Sequence, residues 1–136
     1  MKILGLIFCF AKVENMKQEE FNEQFRQRTK RLALAIIKLL SPLKYTDALG
    51  VMRKQEFRAC TSVASNFRAS CRARSQRELF SKLCTVVEEA DESSFWLEML
   101  TDAGYILPEE VADVLKESNE ILMVMSSYKK TVESTI

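Results

Sequence analysis

The sequence predicts an all-α protein folded as an antiparallel up-down-up-down four-helix bundle in a single domain, and three observations carry that prediction. Apolar residues recur at three- and four-residue intervals through four long stretches. Three glycines and two prolines in 136 residues are too few for a turn-rich β-fold. The connections between the stretches are short, which makes successive helices antiparallel neighbours. A chain of 136 residues, 47% hydrophobic and 29% charged, is one globular domain able to bury a core without disulfide or metal staples. It contains no internal repeat and no low-complexity segment.

The first helix is expected from about Lys17 to Leu40, with Phe21, Phe25, Leu32, Ile36 and Leu39 on one face and Ser41-Pro42 as its stop. Its last turns, from Leu32 onward, are apolar nearly all round, a width that points to contact on more than one side. The second helix is expected over Asp47 to Arg72, with Thr46 or Asp47 as N-cap. Met52, Ala59, Val63, Phe67 and Cys71 form its inner stripe, bordered by Asn66. On the opposite side Lys54, Arg58, Thr61, Ser65, Arg68 and Arg72 follow one another at helical spacing, a basic stripe about five turns long.

Ser75-Gln76-Arg77-Glu78 has the serine and glutamate spacing of a capping box and starts the third helix, which runs through about Thr101. Leu79, Leu83, Val86, Ala90, Leu97 and Leu100 make its core face, and Gly104 is placed to end it in the left-handed conformation. Trp96 fits that face poorly, since it falls with Lys82, Thr85, Glu89 and Glu92. It is either half-buried under a long side chain or part of a subunit interface. Phe95, Trp96 and Met99 are the interface candidates, because this end of the helix is apolar over most of its circumference. The fourth helix begins at Pro108, with Glu109 and Glu110 at the positive end of its dipole. Val111, Val114, Leu115, Ser118, Leu122, Met125 and Val132 are its stripe.

The overall charge of +1 conceals a division. From Met16 to Lys82 fifteen Lys and Arg stand against six Asp and Glu; from Leu83 to Ile136 three stand against twelve. Basic and acidic helices therefore either neutralise each other, within the bundle or across a subunit contact, or leave a basic surface for an anionic partner.

Residues Met1 to Asn15 are expected to be a dispensable extension or an upstream mis-start, ahead of a bundle domain spanning 16–136. Ile3 to Ala11 is apolar after Lys2, so a signal peptide is one alternative and an ordered segment another, but no Ala-x-Ala-like cleavage site follows. The stretch is far too short to span a bilayer. Cys9, Cys60, Cys71 and Cys84 show neither a Cys-x-x-Cys pair nor zinc-ligand spacing. Cys60 and Cys71, about 16 Å apart on one helix, are too distant to bridge. They read as reduced core residues of a cytoplasmic protein.

The chain has no histidine, which removes histidine-dependent triads, zinc sites and the Glu-x-x-His pairs of di-iron bundles. Glu88, Glu89, Asp91 and Glu92 read as a solvated or salt-bridged face before they read as a metal site. Phosphate-binding glycine loops and dinucleotide fingerprints are absent. Cys71, flanked by Arg72 and Arg74, has no base partner in view. An enzyme, a cofactor, a metal and a small-molecule substrate are accordingly not expected.

The run from Arg58 to Ser75, RACTSVASNFRASCRARS, followed by Glu78, Glu88-Glu89-Ala90-Asp91-Glu92 and Trp96-Leu97-Glu98, resembles bacterial four-helix bundle proteins related to the 23S rRNA intervening-sequence proteins. The resemblance covers about Phe21 to Val132. Val63-Ala64 stands where that family commonly has Ile-Pro, and Ala69-Ser70 where it has Glu-Gly. The resemblance implies a closed bundle assembled into a homo-oligomeric ring, commonly a pentamer, and relatives of similar fold that bind nucleic acid. Two readings of function follow. One is a non-catalytic oligomeric module binding structured RNA or a ribonucleoprotein through Lys54, Arg58, Arg68, Arg72, Arg74 and Arg77. The other is a protein-only scaffold or adaptor whose basic helices are matched to acidic neighbours.

Overall fold

The structure, a computed structural model, describes residues 15–136. The expected extension, Met1 to Asn15, lies almost wholly outside the described residues, as does Cys9. Four helices follow in order: α1 (Asn15–Leu40), α2 (Asp47–Ser70), α3 (Gln76–Asp102) and α4 (Pro108–Glu133). Each packs against its successor and α1 closes on α4, with no close backbone approach across either diagonal among the described residues. Antiparallel direction is visible in the contacts. Phe21, near the start of α1, meets Phe67 near the end of α2 and Tyr128 near the end of α4, with ring centroids 6.4 and 5.1 Å away.

The helix ends follow local chemistry. Thr46 Oγ1 accepts the Leu49 N–H at 3.1 Å, and Ser75 Oγ accepts the Glu78 N–H at 3.1 Å, so both sequence-predicted N-caps form. The return half of the box at Ser75 does not form, because the Glu78 carboxylate accepts from Arg74 Nε at 3.3 Å. Gly104 adopts φ 85°, and Tyr105 N–H reaches back to Leu100 O at 3.0 Å, a left-handed helix stop. At the start of α4 Leu107 offers no side-chain acceptor; its own N–H donates instead to Glu110 Oε1 at 2.9 Å. α2 ends at Ser70, two residues before the expected Arg72, where Cys71 to Ala73 turn toward α3.

The core contains Phe21, Phe25, Leu32 and Ile36 from α1, Ala59, Val63 and Phe67 from α2, and Leu83, Val86, Ala90, Leu97 and Leu100 from α3, all on their expected faces. Two faces are rotated from expectation. Leu40 is buried and Leu39 half-buried in α1, while in α4 Ile121, Val124 and Tyr128 are buried and Val114, Leu115 and Leu122 sit at the margin. A helix of seven turns drifts against a fixed stripe, so its two ends present slightly different faces. No described helix is long and apolar enough to cross a membrane.

Candidate nucleic-acid interface

Helical spacing places Lys54, Arg58, Thr61, Ser65, Arg68 and Arg72 on one side of α2, and in the bundle all six are exposed. What faces each of them across the neighbouring helix differs. In the middle of α2, Arg58 Nη1 donates to Glu89 Oε2 at 2.8 Å, and Nη2 reaches Glu92. Glu89 first, then Glu92, hold the guanidinium firmly protonated. This charge is spent on the α2–α3 seam.

Two residues earlier, and facing inward, Glu56 is fully buried. Its Oε1 accepts from Ser93 Oγ at 2.7 Å, and its Oε2 has no partner. Burial pushes this carboxyl up to about 8; the Ser93 bond opposes the shift and the nearby Glu92 charge adds to it. At neutral pH Glu56 is therefore an uncharged acid inside the bundle. On the opposite seam, Arg28 binds Glu117 Oε1 at 2.6 Å and Glu120 Oε1 at 2.9 Å, with its guanidinium 4.8 Å from the Phe25 ring centroid. Arg53 is also committed, donating to the Leu40 and Leu43 carbonyls at 3.0 and 2.9 Å and so satisfying the end of α1. The basic and acidic halves of the chain thus do neutralise each other, but at particular residues.

At the α2–α3 turn the situation changes. Arg68, Arg72, Arg74 and Arg77 are all exposed. Arg74 pairs with Glu78 in the first turn of α3, with its own side chain 89% exposed. Arg68, Arg72 and Arg77 have no ion-pair partner among the described residues, and neither has Lys54, about 20 Å further up α2. Four guanidiniums therefore gather at one end of the bundle. None of the first-helix or third-helix carboxylates reaches Arg68, Arg72 or Arg77.

The interface candidates on α3 divide as well. Phe95 and Met99 are 48% and 38% exposed, while Trp96 is half-buried, its ring 4.9 Å from that of Phe95 and tilted edge-on. Trp96 Nε1 is buried without an acceptor. Leu97 and Leu100 are core. Leu34 on α1 is 50% exposed, consistent with the wide apolar end expected there.

Cys60, Cys71 and Cys84 are free thiols. Burial raises Cys60 to about 12, and burial also outweighs the neighbouring Arg26 at Cys71, so neither carries the lowered pKa of a reactive thiol. Among the described residues no group of three or more Cys, Asp or Glu side chains is arranged to hold a metal ion.

Two features escape a reading of the sequence alone. Glu56 lies four residues after Met52 and three before Ala59, on the inner stripe, so its position was visible although its residue type argues for the surface. Arg58 is indistinguishable from Arg68 and Arg72 until the register of α2 on α3 is known.

Comparison with known proteins agrees with this architecture. No curated protein matches the chain. Among solved structures, a protein of unknown function from the S23 ribosomal protein family of Bacteroides thetaiotaomicron VPI-5482 superposes with a TM-score of 0.69 at 29% identity, covering 77% of this chain and 97% of its own. The family model described as 23S rRNA-intervening sequence protein matches residues 21–127, which is α1 from Phe21 to within six residues of the end of α4. The chain therefore belongs to the 23S rRNA-intervening sequence protein family.

Proposed function

We propose that this protein is a non-catalytic, cytoplasmic helical bundle that binds structured RNA, free or within a ribonucleoprotein, through Arg68, Arg72, Arg74 and Arg77, and that works as a homo-oligomer. The observation that carries the reading is the contrast in pairing. Arg28 and Arg58 are each held by two carboxylates, whereas Arg68, Arg72 and Arg77 are exposed without one. Exposed guanidiniums, three of the four without a carboxylate partner among the described residues, offer the charge and the donor geometry that phosphate oxygens accept, which supports this reading. The family's own description names intervening sequences of 23S rRNA, which makes RNA the first polyanion to test.

Homo-oligomer formation is supported by Phe95 and Met99, which are exposed in a single bundle, with Trp96 half-buried beside them. A ring of copies, a pentamer if the family likeness extends that far, would multiply the phosphate contacts by avidity. Sequence preference should be slight. No aromatic side chain lies among the four arginines to stack on bases.

The test is retention of a structured RNA at low salt by the wild-type protein and by a variant with Arg68, Arg72, Arg74 and Arg77 all replaced by Gln. The variant should lose retention and keep its helical content and oligomer mass. The protein-only scaffold gains the ground if wild type retains no RNA, or if the variant dissociates because those arginines hold another copy.

A further inference from the structure

At the end of the bundle where α1 and α3 begin and α2 and α4 finish lies an open cleft of about 500 Å³. Among the described residues its lining includes Arg74 and no Asp or Glu. Most polar groups of the lining are spent within the fold: the Ser70, Thr131 and Thr135 hydroxyls donate to backbone carbonyls, and Gln76 Nε2 donates to Thr135 Oγ1. Two deeply set side chains, Asn22 and Tyr128, keep a donor for which the described residues supply no acceptor. Asn22 is 8% exposed; its Oδ1 accepts from Gln18 Nε2 at 2.9 Å, while its Nδ2 has no acceptor among the described residues. Tyr128 is 7% exposed; its hydroxyl accepts from the same Gln18 Nε2 at 3.2 Å and finds no acceptor for its own proton among the described residues. Ser75, exposed at the mouth of the cleft, accepts the Glu78 N–H at its Oγ and has its hydroxyl proton open to solvent. Gln76, also in the lining, opens α3, whose first N–H groups have no intrahelical acceptor.

The Asn22 and Tyr128 donors open on one cleft beside Arg74, whose Nε is paired with Glu78 Oε2 and whose side chain is otherwise exposed, and none of the described lining residues is an Asp or Glu, a setting suited to an anionic ligand with several acceptor oxygens. Arg72 and Arg77, exposed on either side of the turn that carries Arg74, lie beyond the cleft on the same end of the bundle. A strand entering the cleft end-first would lay its following phosphates on them.

We propose that this cleft binds a phosphate monoester, presented as the terminal phosphate of a nucleic-acid strand. The proposal rests on the RNA-binding reading for the source of the phosphate, and on the cleft alone for the phosphate itself. Asn22, Tyr128 and Ser75 donate to the phosphate oxygens, Arg74 supplies the charge, and Gln18 holds Asn22 and Tyr128 so that their free donors face inward. The terminal phosphate then fixes the register of a strand that the exposed arginines grip without reading its bases.

The experiment measures binding of the full chain to one short RNA carrying a 5′-phosphate, a 3′-phosphate or hydroxyls at both ends, at fixed salt, and separately to inorganic phosphate. One of the phosphorylated ends should raise affinity about ten-fold over the hydroxyl-ended RNA. Tyr128→Phe should abolish that advantage and leave the affinity for hydroxyl-ended RNA unchanged, because the phenyl ring keeps its packing on Phe21. Asn22→Leu should do the same; if it fails to fold, Tyr128→Phe alone decides. Equal affinity for all three ends, or an advantage that survives Tyr128→Phe, overturns the cleft while leaving RNA binding in place. Binding of inorganic phosphate, sensitive to Tyr128→Phe, without any RNA binding overturns the strand as its source and the RNA reading with it. Binding of neither overturns both.

Discussion

The middle and the end of α2 present the same residue type on the same outward face and use it differently. At the middle, Arg58 faces Glu89 and Glu92 of α3, and Glu56 faces Ser93. At the end, Arg68 and Arg72 look past the last turn of the helix, where α3 has begun with Gln76-Arg77-Glu78 and offers a single carboxylate, already bonded to Arg74. Net charge along a helix therefore says little about binding. What counts is which charges the antiparallel neighbour leaves unmet, and in this bundle that difference is set by where the acidic run of α3 falls against α2.

The largest expected effect breaks the middle of the seam. Glu56 carries its proton in the folded state up to about pH 8, against 4.5 for an unshifted glutamate. Between those values the folded chain binds a proton that the unfolded chain has released. The stability this gives is whole below about pH 4.5 and drains away as pH rises to about 8, by at most about 5 kcal/mol. Burial is the largest influence and favours the neutral form, the Ser93 hydrogen bond opposes it by favouring the anion, and the Glu92 charge favours the neutral form again. Glu56→Met should flatten this slope and raise the melting point most at pH 8, since a fitted apolar group replaces a buried acid. Urea melts at pH 5 and pH 8 check it. A variant with the wild-type slope would show that the carboxyl is hydrated in solution.

A smaller effect is expected one turn further along α3. Trp96→Ala should weaken association by about 2 kcal/mol, roughly thirty-fold in dissociation constant, while lowering the stability of the protomer less. Mass by light scattering across a dilution series, alongside thermal melts, separates the two. An unchanged dissociation constant would make Trp96 a packing residue of the α2–α3 seam and nothing more.

Much of the fold was legible in the sequence because its signals are local. Thr46, Ser75, Gly104 and Pro108 act on the backbone within one turn, so the caps and helix ends could be read residue by residue, and the buried Phe67, Leu83 and Leu97 follow from spacing alone. The site was legible only in part. Spacing put Arg58, Arg68 and Arg72 on one stripe, but the partners of Arg58 lie 31 and 34 residues away, and those of Arg28 lie 89 and 92 away. Arg53, which caps α1 through two carbonyls, reads in sequence as one more surface cation. The cleft could not be seen at all, since Asn22 and Tyr128 are brought together across the seam between α1 and α4. Glu56 has the spacing of the inner face, between Met52 and Ala59, but was not among the residues expected there, because burial of an acid is a tertiary outcome that no local preference favours.

The central claim, that α2 keeps its middle charge for the fold and its end charges for RNA, is tested most directly by two single substitutions compared in one assay. Affinity for a structured RNA is measured against salt for wild type, Arg58→Gln and Arg72→Gln. Wild-type affinity should fall linearly on logarithmic axes, by about 0.7 to 0.9 log units per neutralised phosphate. Arg72→Gln should reduce that slope by about one contact and change stability by less than about 0.5 kcal/mol. Arg58→Gln should leave the slope untouched and lower stability by no more than about 1 kcal/mol, the range of an exposed ion pair. Equal loss of slope in the two variants, or no salt-sensitive RNA binding by wild type, would contradict the account.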